Sequence, residues 1–570
     1  MKNNSNENIL SNIAAPEGLE AELFEKCKSR KHARNVAIRN LGILSVLLIS
    51  ALGIFGRLGL RWIEKSKVSA DTQANDSVHT GILTAMMDPQ VVNSNGGMNP
   101  AEFNTEEYDA IEESGFASVA QSPLSTFSAD VDTASYSNVR RMINEGYQPE
   151  NIPDGAVRAE EMINYFHYSY NGPKDGEPFG VNSVIADCPW NKEHLLLHLG
   201  LQTESIDFSQ AGDSNIVFLI DVSGSMADDN KLPLLQKSFG LLVDELGEKD
   251  RVSIVTYANG TQMVIDGVPG NEKQKIMDAL NGLCAGGGTN GGAALEMAYQ
   301  LAEKNFLDNG NNRVILASDG DWNVGITSQS EMSDLIKKEK ETGIYLSVLG
   351  FGMGNYSDSR MQTLADDGNG NYAYIDTLNE AKKVLVEELG ANMITVADDV
   401  KLQVEFNPAY VAEYRLIGYE NRRLNTEDFV DDTKDAGEVG AGHSVTVLYE
   451  IVPATEENDS SKSLKYQKST LTKEALNSNE WLTLSIRYKE PDENKSKLVE
   501  YNIGSKNYTK KPSEDFLFCA SVAEYALILR KSLYVGTGSF DHIAKTLNKL
   551  NLNDEYKMEF AELVERSQDW

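Results

Sequence analysis

The sequence predicts an α/β protein built around a doubly wound, mostly parallel sheet, with an α-containing region before it and a β-rich plus helical region after it. Three observations lead there. Between Asn215 and Gly390, near-continuous apolar runs alternate with amphipathic stretches, as in a parallel sheet covered on both faces. Several of those runs end abruptly on oxygen-bearing side chains. Beyond Val400 the apolar residues instead recur with period two, the mark of an antiparallel sheet or sandwich.

Taken in order, the chain opens with a basic segment, residues 1–38, followed by an uncharged apolar stretch, "NLGILSVLLISALGIFG", between Arg39 and Arg57. Residues 39–60 read as one transmembrane helix, with Arg57 able to reach the interface. Six Lys and Arg precede it within residues 26–39 and four follow by Lys67, which favours a cytoplasmic N-terminus and an exported body. A cleaved signal peptide is the rival reading, but it would start nearer the N-terminus and end on small residues. Residues 61–124 are polar and irregular and read as a flexible linker.

An associated region, residues 125–214, follows. Val139, Met142 and Ile143 have helical spacing, and "GAVRAEEMINYFHYSY" repeats the pattern. The central domain spans residues 215–390: strand "NIVFLID", helix "LPLLQKSFGLLVDEL", strand "RVSIVTY", helices "QKIMDALNGL" and "GAALEMAYQLAEKN", strand "NRVILASDG", a helix opened by Ser328 and Glu331 at capping-box spacing, and strand "IYLSVLGFG". In residues 391–570, "VKLQVEF", "HSVTVLYEIVP" and "WLTLSIRYKEP" are strands. The apolar helix "EDFLFCASVAEYALILRKSLY" carries Glu524 and Arg530, so it reads as a buried core helix, not a second span.

The chain carries a net charge of −34, divided as +5 over residues 1–67 and −39 over the rest. So acidic a body makes a phosphate backbone a poor partner and excludes a nucleic-acid role. Cys27, Cys188, Cys284 and Cys519 form no disulfide framework and no zinc spacing, and read as small buried hydrophobes.

In a doubly wound sheet, ligands sit at the carboxyl ends of strands where the strand order reverses. After "NIVFLI" comes "DVSGSM", with Asp221, Ser223 and Ser225; "LCAGGGTNGG" places Thr289 in a glycine-rich loop ahead of a helix; "RVILAS" is followed by "DGDWN", with Asp319 and Asp321. An oxygen-only donor set suits a hard cation, magnesium or manganese in preference to calcium. The hydroxyls of Ser223, Ser225 and Thr289 would coordinate without adding formal charge. Asp221 and Asp319 would bind directly or orient bound water, leaving the ion enough positive charge to take a carboxylate from a partner.

Asp221, Ser223, Ser225, Thr289 and Asp319, in that order, resemble the metal-ion-dependent adhesion site of von Willebrand factor A domains. "STFSADVDTASYSNVRRMI", "VRAEEMINYF" and "VKLQVEFNPAYVAEYRLIGYENR" resemble a bacterial group of these proteins labelled calcium-activated chloride channel homologues, over about Ser125 to the C-terminus. The resemblance implies a Rossmann-like domain that binds a divalent cation and, through it, a protein ligand supplying Glu or Asp. This chain lacks the lipobox cysteine common in the group, and a single span forms no pore, so neither lipid anchoring nor the channel label carries over.

The expected function is therefore that of a membrane-anchored, cation-dependent binding protein of the cell envelope, not an enzyme. The alternative is a hydrolase in which the cation activates water, with Asp321 as general base. "DVDTA", Asp130 to Ala134, has the spacing of a phosphatase nucleophile motif, but no apolar strand leads into it and it reads as a helix start. His194 and His198 would share a strand face without a third ligand, and read as structural.

Overall fold

A computed structural model describes residues 106 and 108–568, apart from 130–131, 175–176, 205–211, 290, 321–328, 353–357, 389–393, 435, 456–470, 492 and 494. Residues 1–38 and the expected span at 39–60 lie outside these. Among the described residues, no helix is long and apolar enough to cross a membrane.

The described chain begins with β1 (Ala117–Ser118), β2 (Leu124–Ser128), α1 (Ala134–Asn144), α2 (Ala159–Asn164), β3 (Gly180–Asp187) and β4 (Leu195–Gln202). The central domain follows as β5 (Ser214–Asp221), α3 (Leu232–Glu245), β6 (Arg251–Tyr257), β7 (Thr261–Pro269), α4 (Lys273–Asn281), α5 (Gly292–Lys304), β8 (Asn311–Ser318), α6 (Gln329–Lys340), β9 (Ile344–Phe351), α7 (Asp358–Asp367), β10 (Tyr372–Ile375) and α8 (Leu378–Lys382). Then come β11 (Thr395–Phe406), β12 (Val411–Ile417), β13 (Val439–Gly440), β14 (Ser444–Pro453), α9 (Lys473–Asn477), β15 (Glu480–Lys489), β16 (Lys497–Gly504), α10 (Glu514–Leu529), α11 (Phe540–Leu547) and α12 (Glu555–Gln568).

The central sheet has the order β10-β9-β8-β5-β6-β7. All neighbours run parallel except β7, which pairs antiparallel with β6 at the edge. Every residue of β5 and of β8 is buried, because helices cover both faces of the sheet. Ile216, Phe218 and Ile220 face α3, where Phe218 stacks on Phe239 with ring centroids 4.2 Å apart, while Val217 and Leu219 face the α5 side. From β5 the chain steps to β6 on one side and later returns to β8 on the other. The crevice between the carboxyl ends of β5 and β8 is thus the topological switch point.

Two antiparallel sheets, β1-β12-β14-β4-β3 and one running β13-β11-β15-β16 with β2 also on β11, enclose a second core that includes Leu197, Leu402, Val447 and Leu484. Since β3 and β4 precede the central domain and β11 to β16 follow it, that domain is inserted into a sandwich. The sequence-based boundaries 125–214 and 391–570 therefore divide strands that share one sheet. Helices α1, α2 and α10 to α12 make a third core, in which 12 of the 16 residues of α10 are buried.

The expected linker 61–124 needs correction at its end. Ser114 and Val119 are buried, β1 pairs with β12, and Glu113 accepts from Arg415 at 3.2 Å and from Ser532 at 2.6 Å. A polar stretch can dock without an apolar period when its carboxylates find buried arginines. Arginines also tie the central domain to its surroundings. Arg140, on α1, reaches Asp376 just after β10, Glu380 on α8 at 2.8 Å and Glu559 at 2.9 Å.

Candidate cation site

The site is built at the switch point. Asp221 ends β5 and is wholly buried. The chain then turns, so that the Ser223 backbone N–H donates back to Asp221 Oδ1 at 2.7 Å and Ser318, the last residue of β8, donates its hydroxyl to Asp221 Oδ2 at 3.2 Å. Ser223 Oγ and Ser225 Oγ lie 2.9 Å apart on the same turn. Ser223 is the N-cap of a 3-10 turn, Gly224–Ala227, and that turn brings the Ser225 hydroxyl back beside the Ser223 hydroxyl.

The glycine-rich loop is strapped onto that turn. Gly286 N–H donates to Val222 O at 2.8 Å and Gly224 N–H to Gly287 O at 2.9 Å. Gly287 has φ +93°, and a Cβ there would stand 2.6 Å from Asn259 Nδ2, so glycine is needed both for its backbone and for the approach. Asn259 Oδ1 in turn accepts from Gly288 N–H at 2.6 Å. Thr289, half-buried, follows directly on this strapped loop.

Asp319 follows β8 and is also fully buried, but its Oδ2 is engaged: Lys231 Nζ donates to it at 2.9 Å. Sequence reasoning names Asp319 and misses Lys231, because nothing in "NKLPLLQ" announces a side chain that reaches across 88 positions. Ser318, Asn259 and Tyr257 are missed as well. Ser318 carried a signal, as a polar residue closing an apolar strand next to Asp319. Asp321 and Ser328 lie outside the described residues.

The electrostatics follow from burial. Loss of water pushes the Asp221 carboxyl up from its ordinary 3.8 to about 6, with the Ser223 hydrogen bonds opposing this and Asp319 adding to it. Tyr257, ending β6, is pushed well above 10, first by burial and then by Asp221. Among the described residues no cationic side chain is paired with Asp221. A buried carboxylate served only by neutral donors, with two hydroxyls 2.9 Å apart and a third on the strapped loop, fits a hard divalent cation. Asp221, Ser223, Ser225 and Thr289 would hold it, with Asp319, already paired to Lys231, nearby at the end of β8.

The other expected positions resolve differently. His194 bonds Glu450 at 2.5 Å, while His198 bonds Tyr170 at 3.0 Å and is driven down to about 4 by burial. The two histidines thus serve separate networks. Asp132 of "DVDTA" does not cap α1; it accepts from the Tyr372 N–H and from Arg422, both at 3.0 Å. Cys188 and Cys519 are buried free thiols and Cys284 is a half-buried one.

This fold, with its switch-point loops, defines a VWA-domain protein. Residues 215–387 match the von Willebrand factor type A domain, residues 102–198 a family described as von Willebrand factor, and residues 391–569 one described as Uncharacterized protein YfbK, C-terminal. The Escherichia coli (strain K12) protein YfbK is 43% identical over 475 residues, covering 82% of this chain and 81% of that protein, and the chain belongs to its family. The human inter-alpha-trypsin inhibitor heavy chain H4 is 29% identical over 164 residues, 27% of this chain and 17% of that one. A solved von Willebrand factor type A structure from Catenulispora acidiphila shares 13% identity over 69% of this chain and 93% of its own, with a TM-score of 0.38. The channel label finds no support in these relatives.

Proposed function

We propose that this protein is a divalent-cation-dependent binding protein, in which magnesium or manganese held by Asp221, Ser223, Ser225 and Thr289 bridges to a Glu or Asp of a protein partner. VWA domains are protein-interaction modules, and the observation that carries the cation reading is Asp221. It is a fully buried carboxylate whose described donors are all neutral, set at the switch point beside paired hydroxyls. When bound, the cation supplies an electrophilic centre for an incoming carboxylate. The protein's own part is to keep Asp221 fixed by two hydrogen bonds and to keep the hydroxyl loop strapped in place, so little ordering remains for the binding step.

The apolar stretch at residues 39–60 and the charge imbalance around it support anchoring to a membrane, with the acidic body displayed at the cell envelope. We take the protein to be a binder and not a hydrolase, because a donor set of one buried carboxylate and neutral hydroxyls leaves a bound ion positive enough to attract a partner's carboxylate.

The test is a calorimetric titration of magnesium and of manganese into the full chain, with Asp221→Ala as control. One saturable site in the wild type that vanishes in the variant, with the variant's fold intact by circular dichroism, supports the reading. Equal binding by both proteins moves the cation elsewhere and refutes it.

A further inference from the structure

Two buried carboxylates meet at the switch point, and they differ in their partners. Asp221 holds neutral donors, whereas Asp319 holds the Lys231 ammonium at 2.9 Å, with 5% of the lysine side chain and none of the aspartate exposed. Three elements place that ammonium. Lys231 immediately precedes α3, and its N–H donates to Asp228 O at 3.0 Å, which fixes the lysine to the loop leaving Ser225. Asp319 is presented by the end of β8. The lysine stem crosses Gly352, just beyond β9, where an added Cβ would lie 2.3 Å from both its Cγ and its Cε. Gly352 adopts φ +75°, and its carbonyl accepts from the Tyr374 hydroxyl, so the slot under the lysine is itself pinned. A long, flexible cation is thereby held as a fixed charge.

We propose that Lys231 is a built-in counter-ion that sets the charge of the cation site. By neutralising Asp319 it leaves Asp221 as the carboxylate offered to the ion, weakens ion binding, and keeps the bound ion positive enough to capture a partner's carboxylate. The inference rests on the cation reading above. Its physical basis is charge balance in a water-poor edge. A divalent ion facing two unpaired carboxylates is fully neutralised and gains little from a third, whereas with the ammonium present one positive charge remains uncompensated. Ion affinity and carboxylate capture are therefore opposed, and Lys231 shifts the balance toward capture.

The experiment uses the full chain with Mn²⁺ as probe, counting free ion by electron paramagnetic resonance and following acetate on the bound ion through water-proton relaxation. Lys231→Met should bind Mn²⁺ at least tenfold more tightly, and its complex should take acetate at least tenfold more weakly. Lys231→Arg should stay near wild type in both. Without ion, Lys231→Met should melt below wild type, and Mn²⁺ should restore it. If Lys231→Met does not fold, Gly352→Ala, which crowds the lysine stem while leaving every charge in place, should shift both affinities in the same directions. A purely structural lysine would lower the melting temperature and leave the two affinities unchanged. Wild-type Mn²⁺ binding with no tightening in the variants overturns the counter-ion role and leaves the cation site standing. Absence of Mn²⁺ binding by the wild type overturns both.

Discussion

Replacing Asp221 by Asn should stabilise the ion-free protein while abolishing cation binding. Asn keeps the shape, since its Oδ1 still accepts from the Ser223 N–H at the 2.7 Å position and its amide can donate to Ser318 Oγ. What it removes is a buried negative charge whose carboxyl sits near 6 in the fold against 3.8 ordinarily. Between those values the folded state holds the proton more tightly than the unfolded chain, so stability falls as pH rises from about 4 to about 6. Above that the deficit is constant, and a gap of about two pH units corresponds to roughly 3 kcal/mol. In urea unfolding with chelator at pH 8, Asp221→Asn should therefore exceed wild type by up to about 3 kcal/mol, with the two curves converging near pH 4. Mg²⁺ at a thousand times Kd should reverse the order, because it then adds about 4.1 kcal/mol to the wild type alone. If the variant is less stable than wild type at pH 8 in chelator, or if its advantage is the same at pH 4, burial of charge at Asp221 is not what this site stores.

Gly287→Ala, at φ +93° and 2.6 Å from Asn259, should cost about 1–2 kcal/mol of local strain and loosen the Thr289 loop. Titration calorimetry should show weaker Mg²⁺ binding, and hydrogen exchange faster Gly224 and Gly286 amides. Arg140→Met leaves Asp376 and Glu380 buried without their shared cation, and should lower stability by about 3–5 kcal/mol in chemical denaturation. A fragment starting at residue 104 should be more stable than one starting at Ser125 by about 1–3 kcal/mol, because the shorter one loses β1 and leaves Arg415 without Glu113. Equal melting temperatures for the two fragments would show that this docking contributes nothing.

The parts of this molecule that were legible in its sequence are those governed by local pattern. β5 and β8 announce themselves as unbroken apolar runs because helices cover both faces; Asp221, Ser223, Ser225 and Asp319 stand where those strands end, and Thr289 is marked by the glycine run before it. β7 escapes notice because it is an edge strand, half-exposed, with Gly267 interrupting it. β10 has four residues, too few to show a period. β2, "LSTFS", reads as the polar lead-in to a helix, and only its pairing with Leu402 to Val404 on β11 makes it a strand. The same non-local cause hides the sandwich: β4 pairs with β14 across the entire central domain, and no window of sequence spans that distance.

Lys231 and Arg140 show why charge was the least legible property of all. Each reads as an ordinary exposed basic residue on or near a helix, yet each is buried against acids that are distant in sequence, Asp319 for one and Asp376 with Glu380 for the other. Both pairings fall on the same edge of the central sheet, since β10 runs parallel to β9, β8 and β5. Three strand spacings separate β10 from β5, about 14 Å. The tie that fixes the domain to its surroundings and the crevice that would hold the cation are thus mounted on one hydrogen-bonded sheet. Arg140 braces the strand end at β10 against helices α1 and α12, whereas the crevice lies at the ends of β5 and β8. Arg140→Met should therefore lower stability far more than it changes intrinsic Mg²⁺ affinity, whereas Gly287→Ala should do the reverse. If the arginine variant lost both in proportion, the site and its brace would be a single cooperative element.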